Sequence, residues 1–234
     1  MKLSFILIGC LIGSTLVAQP KSKDLVGAWE TGSAENRTTL IFSEGYFAYA
    51  EYDLTNKKFV STFGGKWNIK GNDTVQLIEF DVQDPDNVGT EKKLTVKLKG
   101  KKLDLGSSAY TRVDDGTPGK LAGAWLITGR MTDEGIRSRT PGARKTMKIL
   151  SGTRFQWIAY NTDTKEFSGT GGGTYTTKDG KYVETIEFFS RDNSRVGASL
   201  PFDFSIEDGK WNHKGLSSKG DPIHEIWTRR EELE

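Results

Sequence analysis

From about residue 24 onward the chain runs as short stretches of alternating apolar and polar residues, broken at regular intervals by turn formers. Over 155–161, Phe155, Trp157 and Ala159 fall on one side while Gln156 and Tyr160 fall on the other. That period of two gives a β-strand one buried face. The stretches are rich in Val, Ile, Thr and aromatic residues. The breaks are Gly, Asn, Asp and Pro clusters, such as Lys70-Gly71-Asn72-Asp73 and Asp84-Pro85-Asp86-Asn87. The pattern predicts strands over 27–33, 37–42, 46–53, 59–69, 75–82, 92–99, 102–105 and 109–113, with no convincing helix among them. Eight sequential strands with hairpin links predict an up-and-down meander. Closing such a meander into a barrel removes its exposed edges.

The pattern then repeats. Leu25-Val26-Gly27-Ala28-Trp29 recurs as Leu121-Ala122-Gly123-Ala124-Trp125, and residues 47–89 align with 155–197 without a gap. Tyr52/Tyr160, Glu79/Glu187 and Phe80/Phe188 are among the shared positions. Each copy closes on an aromatic-Thr-Arg triplet, Tyr110-Thr111-Arg112 and Trp227-Thr228-Arg229. A repeat this long is a duplicated domain, not a solenoid. The turn-rich segment Asp114-Asp115-Gly116-Thr117-Pro118-Gly119 separates copy one, 24–113, from copy two, 120–232. Gly64-Gly65 and Gly171-Gly172-Gly173 fall inside a long strand, where glycine marks a bulge or bend. No helix follows them, so they do not read as a phosphate-cradling loop. The fold class expected is all-β, with two tandem antiparallel up-and-down barrels of about eight strands each.

Composition changes this picture little. The formal net charge of +2 and the interspersed charges exclude the strongly basic face of a nucleic-acid binder. Residues 1–18 do add something. Lys2 precedes an almost wholly apolar run to Val17, then Ala18 and a polar stretch, which is the pattern of a signal peptide. The run is too short for a confident membrane span. A secreted or periplasmic protein is therefore expected, without a transmembrane span once the leader is removed. Cys10 is the single cysteine, so a chain cleaved near Ala18 has no disulfide. Leu7-Ile8-Gly9-Cys10 also looks like a lipobox, which leaves a lipoprotein anchored through Cys10 as the alternative.

Gly-x-Trp on the first strand of each copy resembles the lipocalin and calycin signature. The resemblance implies a Trp at the closed base of each barrel with an Arg from the last strand packed across it: Trp29 with Arg112, and Trp125 with Arg229. Copy two is also similar to a family of bacterial secreted lipocalin-like domains of unknown function. The matching residues include Arg139-Thr140-Pro141-Gly142, Phe155-Gln156-Trp157-Ile158, Lys181-Tyr182-Val183-Glu184 and His224-Glu225-Ile226-Trp227-Thr228-Arg229. Copy one lacks the Arg-Thr-Pro-Gly stretch. The resemblance implies a fold and carries no established activity.

The candidate chemistry is sparse. His213 and His224 are the only histidines, and with Glu225 they make a poor metal set against the three or four ligands zinc needs. They are read as polar strand positions, and no metal or cofactor is expected. Glu79 and Glu187 recur in both copies, which suits a structural role better than acid–base work. Glu184 stands where copy one has Gln76, and there is no Ser or Cys nucleophile motif. An enzyme is therefore less expected than a binding protein. The most informative difference is the basic loop of copy two, with Arg130, Arg137, Arg139, Arg144 and Lys145. The expectation is that copy two binds a small apolar or amphipathic molecule, contacted by Arg139, Trp157, Tyr160, Tyr175, Glu187 and Phe202. The alternative is a non-catalytic module that meets a protein or a glycan, and a calycin-type enzyme comes third. The oligomeric state is left open.

Overall fold

A computed structural model describes residues 19–217 and 220–234; the leader expected over 1–18, with Cys10, lies outside them. Copy one is a closed barrel of eight antiparallel strands in meander order: β1 (Gly27–Thr31), β2 (Arg37–Ser43), β3 (Tyr46–Asp53), β4 (Lys58–Lys70), β5 (Asp73–Asp81), β6 (Glu91–Lys99), β7 (Lys102–Leu105) and β8 (Ser108–Asp114). Copy two repeats the order with β9 (Gly123–Thr132), β11 (Arg144–Leu150), β12 (Arg154–Asn161), β13 (Phe167–Lys178), β14 (Lys181–Phe189), β15 (Ser199–Glu207), β16 (Lys210–Leu216) and β17 (Pro222–Arg229). Pairing of β17 with β9 closes the second barrel.

One strand was not foreseen. The basic loop begins as a hairpin, in which β10 (Gly135–Ser138) folds back on the end of β9. Arg130 pairs with Arg137 and Met131 with Ile136, so alternation runs through the hairpin around a turn at Asp133-Glu134. Such a pattern reads as strand once it can extend a neighbour.

Each barrel is closed at the end where its first strand begins. The single helical turn Ser22–Leu25 places the Leu25 carbonyl 2.8 Å from Nε1 of Trp29, and the Leu121 carbonyl stands at the same distance from Nε1 of Trp125. The guanidinium of Arg112 lies 4.0 Å from the Trp29 ring centre, and that of Arg229 lies 4.2 Å from Trp125. Both Trp rings are fully buried, each in the core of its own barrel. A guanidinium over an indole is an attractive cation–π contact. Each Arg also donates to backbone carbonyls before the first strand, Val26 and Asp24 for Arg112 and Ala122 for Arg229.

The glycine pairs sit at bulges. Register between β4 and β5 shifts at Gly64/Gly65, and between β13 and β14 at Gly172/Gly173. Gly65 and Gly173 have φ near +156° and +155°, and a Cβ on either would run into a backbone carbonyl oxygen of the facing strand. Only glycine fits there. Each bulge adds one residue to the opposite strand, Glu79 in β5 and Glu187 in β14. That extra residue turns the carboxylate away from the barrel interior.

The outward carboxylates meet the other barrel. The Tyr52 hydroxyl donates to Glu187 at 2.8 Å, and the Tyr160 hydroxyl donates to Glu79 at 2.7 Å. Phe188 packs on Tyr52 and Phe80 on Tyr160, with ring centres 4.7 and 4.9 Å apart. Equivalent residues thus make reciprocal contacts, the signature of a two-fold interface, here built within one chain. Each carboxylate also has its own arginine: Arg154 at 2.5 Å from Glu187, and Arg230 at 2.6 Å from Glu79. Arg154 continues to Glu30 of the first barrel and Arg230 to Glu234. Asp114 ties the linker to the second barrel through Ser151, Gly152 and Thr153. Buried charges that are paired and hydrogen-bonded in this way are tolerated in an interface.

Candidate functional site

The meander order fixes which end of the second barrel is open. β9 starts at the Trp125 end, so the β9–β11, β12–β13, β14–β15 and β16–β17 connections all lie at the opposite end. A cup of about 400 Å³ opens there, lined by residues that include Arg130, Lys148, Trp157, Glu184, Phe189, Arg191, Phe202 and Trp227.

Lys148 is the least expected of these. It pairs in register with Trp125 on one side and Trp157 on the other, so all three point into the barrel. Its side chain is 6% exposed and its Nζ lies 2.7 Å from Oε1 of Glu184, itself 5% exposed. Four rings surround the same Nζ: Tyr182 and Trp211 at 5.1 Å, Trp227 at 5.5 Å and Phe202 at 5.6 Å. The ammonium is thus held by one carboxylate and an aromatic cage.

A second pair sits beside the first. His213 Nε2 is 3.5 Å from Lys148 Nζ, and its Nδ1 faces Glu225 at 3.4 Å. Arg130 reaches Glu225 at 3.1 Å. Its place at the mouth, where its side chain stays 64% exposed, depends on a bulge. Register between β9 and β17 shifts as Trp227 pairs with Ile127 and Ile226 with Gly129, which leaves Thr128 extra and puts Arg130 on the side of Glu225. Burial, and then the Lys148 charge, pushes the His213 imidazole below its ordinary value, so the ring is neutral near pH 7. Burial works to raise the Glu225 carboxyl, but His213, Lys148 and Arg130 outweigh it and hold the group below the usual range.

The first barrel carries none of this. Leu40 pairs with Trp29 as Lys148 pairs with Trp125, and Gln76 aligns with Glu184. Matching Leu103–Tyr110 to Trp211–Trp227 puts Leu105 and Ser108 where His213 and Glu225 stand. The first barrel's core accordingly includes Leu40, Leu103 and Leu105.

The core of the second barrel also holds unpaired donors, one of them on Trp227 at the cup. Trp29 and Trp125, like Trp67, donate their indole N–H to backbone carbonyls. Nε1 of Trp211 and of Trp227 and the Tyr182 hydroxyl are buried without a hydrogen-bond partner. Burial, and then Glu184, pushes the Tyr182 phenol well above its ordinary value, so it stays protonated.

The residues singled out in the sequence divide between two places. Trp157 and Phe202 line the cup. Tyr175 lies inside the barrel toward its closed end, where its hydroxyl donates to the Ser151 carbonyl at 2.6 Å. Tyr160 and Glu187 stand at the junction of the barrels, outside the cup. Arg139 is exposed and donates to the Arg144 carbonyl at 3.3 Å, while the arginines that line the cup are Arg130 and Arg191. His213 and His224 fall on opposite faces of the barrel wall: His213 pairs with Glu225, while the next pair is Lys214 with His224, and His224 faces Asn212 at 3.2 Å. The two histidines therefore cannot share a metal. Among the described residues no cluster of three or more His, Cys, Asp or Glu is placed to hold one, and no helix is long and apolar enough to cross a membrane.

Sequence reasoning missed the role of Lys148. The available signal was a charge at a position of β11 that alternation assigns to the interior, where copy one has Leu40.

Residues 120–234, the second barrel with its C-terminal turn, match the model of a family described as a domain of unknown function, DUF4488. Comparison with curated proteins gave no match.

Proposed function

We propose that the second barrel binds a small apolar or amphipathic molecule in its cup, and that the first barrel serves as a scaffold. The observation that carries this reading is the contrast between two barrels of one fold. One interior is an apolar core with Leu40, Leu103 and Leu105 at the matching places. The other holds a paired lysine, four aromatic rings and unpaired donors beside an open space of about 400 Å³. That volume and mixed lining suit a small-molecule site. Buried charge costs stability relative to the leucines the same fold accepts, so its retention in one copy speaks for use rather than packing.

Calycin-like binding of this kind fits an exported protein. We read residues 1–18 as a leader cleaved near Ala18, with a lipid anchor at Cys10 as the alternative. The mass of the N-terminal peptide from the native host separates the two. The binding reading is tested by native mass spectrometry of the full chain purified from that host. An added mass, lost when Ile223→Trp fills the cup, is the expected result. A bare mass, with no thermal shift across a panel of lipids and sugars, would refute it.

A further inference from the structure

Resting on that reading, we infer that the group recognised in the cup is an uncharged hydrogen-bond acceptor, a carbonyl-type oxygen of a ketone, ester, amide or quinone, carried on an apolar body. Two features of the lining lead to this.

First, the spare hydrogen-bonding capacity is on the donor side. The indole N–H groups of Trp211 and Trp227 are unpaired, and Trp227 is the one whose ring lines the cup. Lys148 spends its closest contact on Glu184 and faces His213 only at 3.5 Å. Glu225 already faces Arg130 and His213. A buried donor left unpaired is costly, so a ligand gains most by bringing an acceptor.

Second, the lining holds three cations and three carboxylates, and those deepest in it pair, Lys148 with Glu184 and Arg130 with Glu225, while Arg191 is held by the Ser168 carbonyl. A carboxylate ligand would set a third negative group beside Glu184 and Glu225. It would also meet the rings of Phe202 and Trp227, whose faces attract cations and repel anions. A cationic ligand would compete with Lys148 for that cage and would bring donors where acceptors are wanted. A neutral acceptor meets neither penalty.

The test uses the full chain and three probes of one length: a ten-carbon methyl ketone, the matching carboxylate and the matching primary amine, titrated at neutral pH by calorimetry. The ketone is expected to bind at least about tenfold more tightly than either charged probe. Trp227→Phe keeps the ring and removes one donor. It is expected to weaken the ketone about three- to tenfold and leave the carboxylate and amine unchanged, the size of one net hydrogen bond. Circular dichroism and melting establish that the variant is folded, and the probe ranking on the unaltered protein needs no variant. A carboxylate or amine that binds as tightly as the ketone overturns the inference and leaves the cup as a binding site. Absence of binding by all three overturns the inference too, and it overturns the binding reading as well when the native mass is bare.

Discussion

Replacing Lys148 with Leu, the residue at the matching place in the first barrel, isolates the energetics of the cup. Lys148 and Glu184 sit 2.7 Å apart with side chains 6% and 5% exposed, so solvent screens them little. At an effective dielectric of 20 the attraction is about 6 kcal/mol, opposed by a desolvation cost of several kcal/mol for each ion. The intact pair therefore contributes little net stability. Lys148→Leu removes the attraction but leaves the Glu184 carboxylate buried among Tyr182, Trp211 and Trp227, and such a change costs about 3–5 kcal/mol. The double replacement Lys148→Leu with Glu184→Gln recreates the Leu40 and Gln76 pairing of the first barrel and removes the orphaned charge. It is expected within about 1 kcal/mol of the starting protein, so relieving the orphaned charge recovers about 2 kcal/mol or more. Urea unfolding followed by circular dichroism, with an unchanged slope, measures each corner of the cycle. A single variant within 1 kcal/mol of the parent, or a double variant as unstable as the single, would refute the buried-pair argument.

Other expectations follow from the same geometry. Trp125→Ala removes the ring that closes the second barrel and should destabilise it by about 3–5 kcal/mol in the same assay; a change near zero would mean the ring does not plug the barrel base. Tyr52→Phe and Tyr160→Phe remove reciprocal hydrogen bonds to Glu187 and Glu79, and each should cost about 1.5–3 kcal/mol by denaturant titration. A large effect from one and none from the other would argue against a two-fold junction. His213 gives a pH dependence. Its folded value lies below the ordinary 6.5, so the unfolded chain binds more protons as pH falls through that value. The stability it contributes is full above about 6.5 and drains away on acidification, and melting curves of His213→Leu should lose that arm.

Much of the fold was legible in order along the chain. The period of two, the duplicated Gly-x-Trp and the hairpin turns are local signals, and strand closure follows from their number. The alternation in β12 already separated Trp157 from Tyr160 onto opposite faces. Expecting both around one ligand set that rule aside, and the structure divides them as the alternation requires: Trp157 inside the barrel, Tyr160 against Phe80 of the other barrel. Glu187 was harder to place, because a bulge adds a residue and breaks the parity that a strand otherwise keeps. The glycines that permit the bulge were visible; the direction in which the added carboxylate would point was not.

The sequence by itself determined the number of barrels, their meander order apart from β10, and the inequality of the two copies, because each of these rests on local periodicity or direct comparison of repeats; the closed ends followed from the resemblance carried by Gly-x-Trp. Only the tertiary structure decided that the outer faces of the barrels join through exchanged Tyr–Glu contacts, and that Lys148, Glu184, His213, Arg130 and Glu225 meet in one cup. Those residues come from five different strands, β11, β14, β16, β9 and β17, and their distances are set by barrel closure and by a bulge at Thr128, which no stretch of sequence spells out on its own.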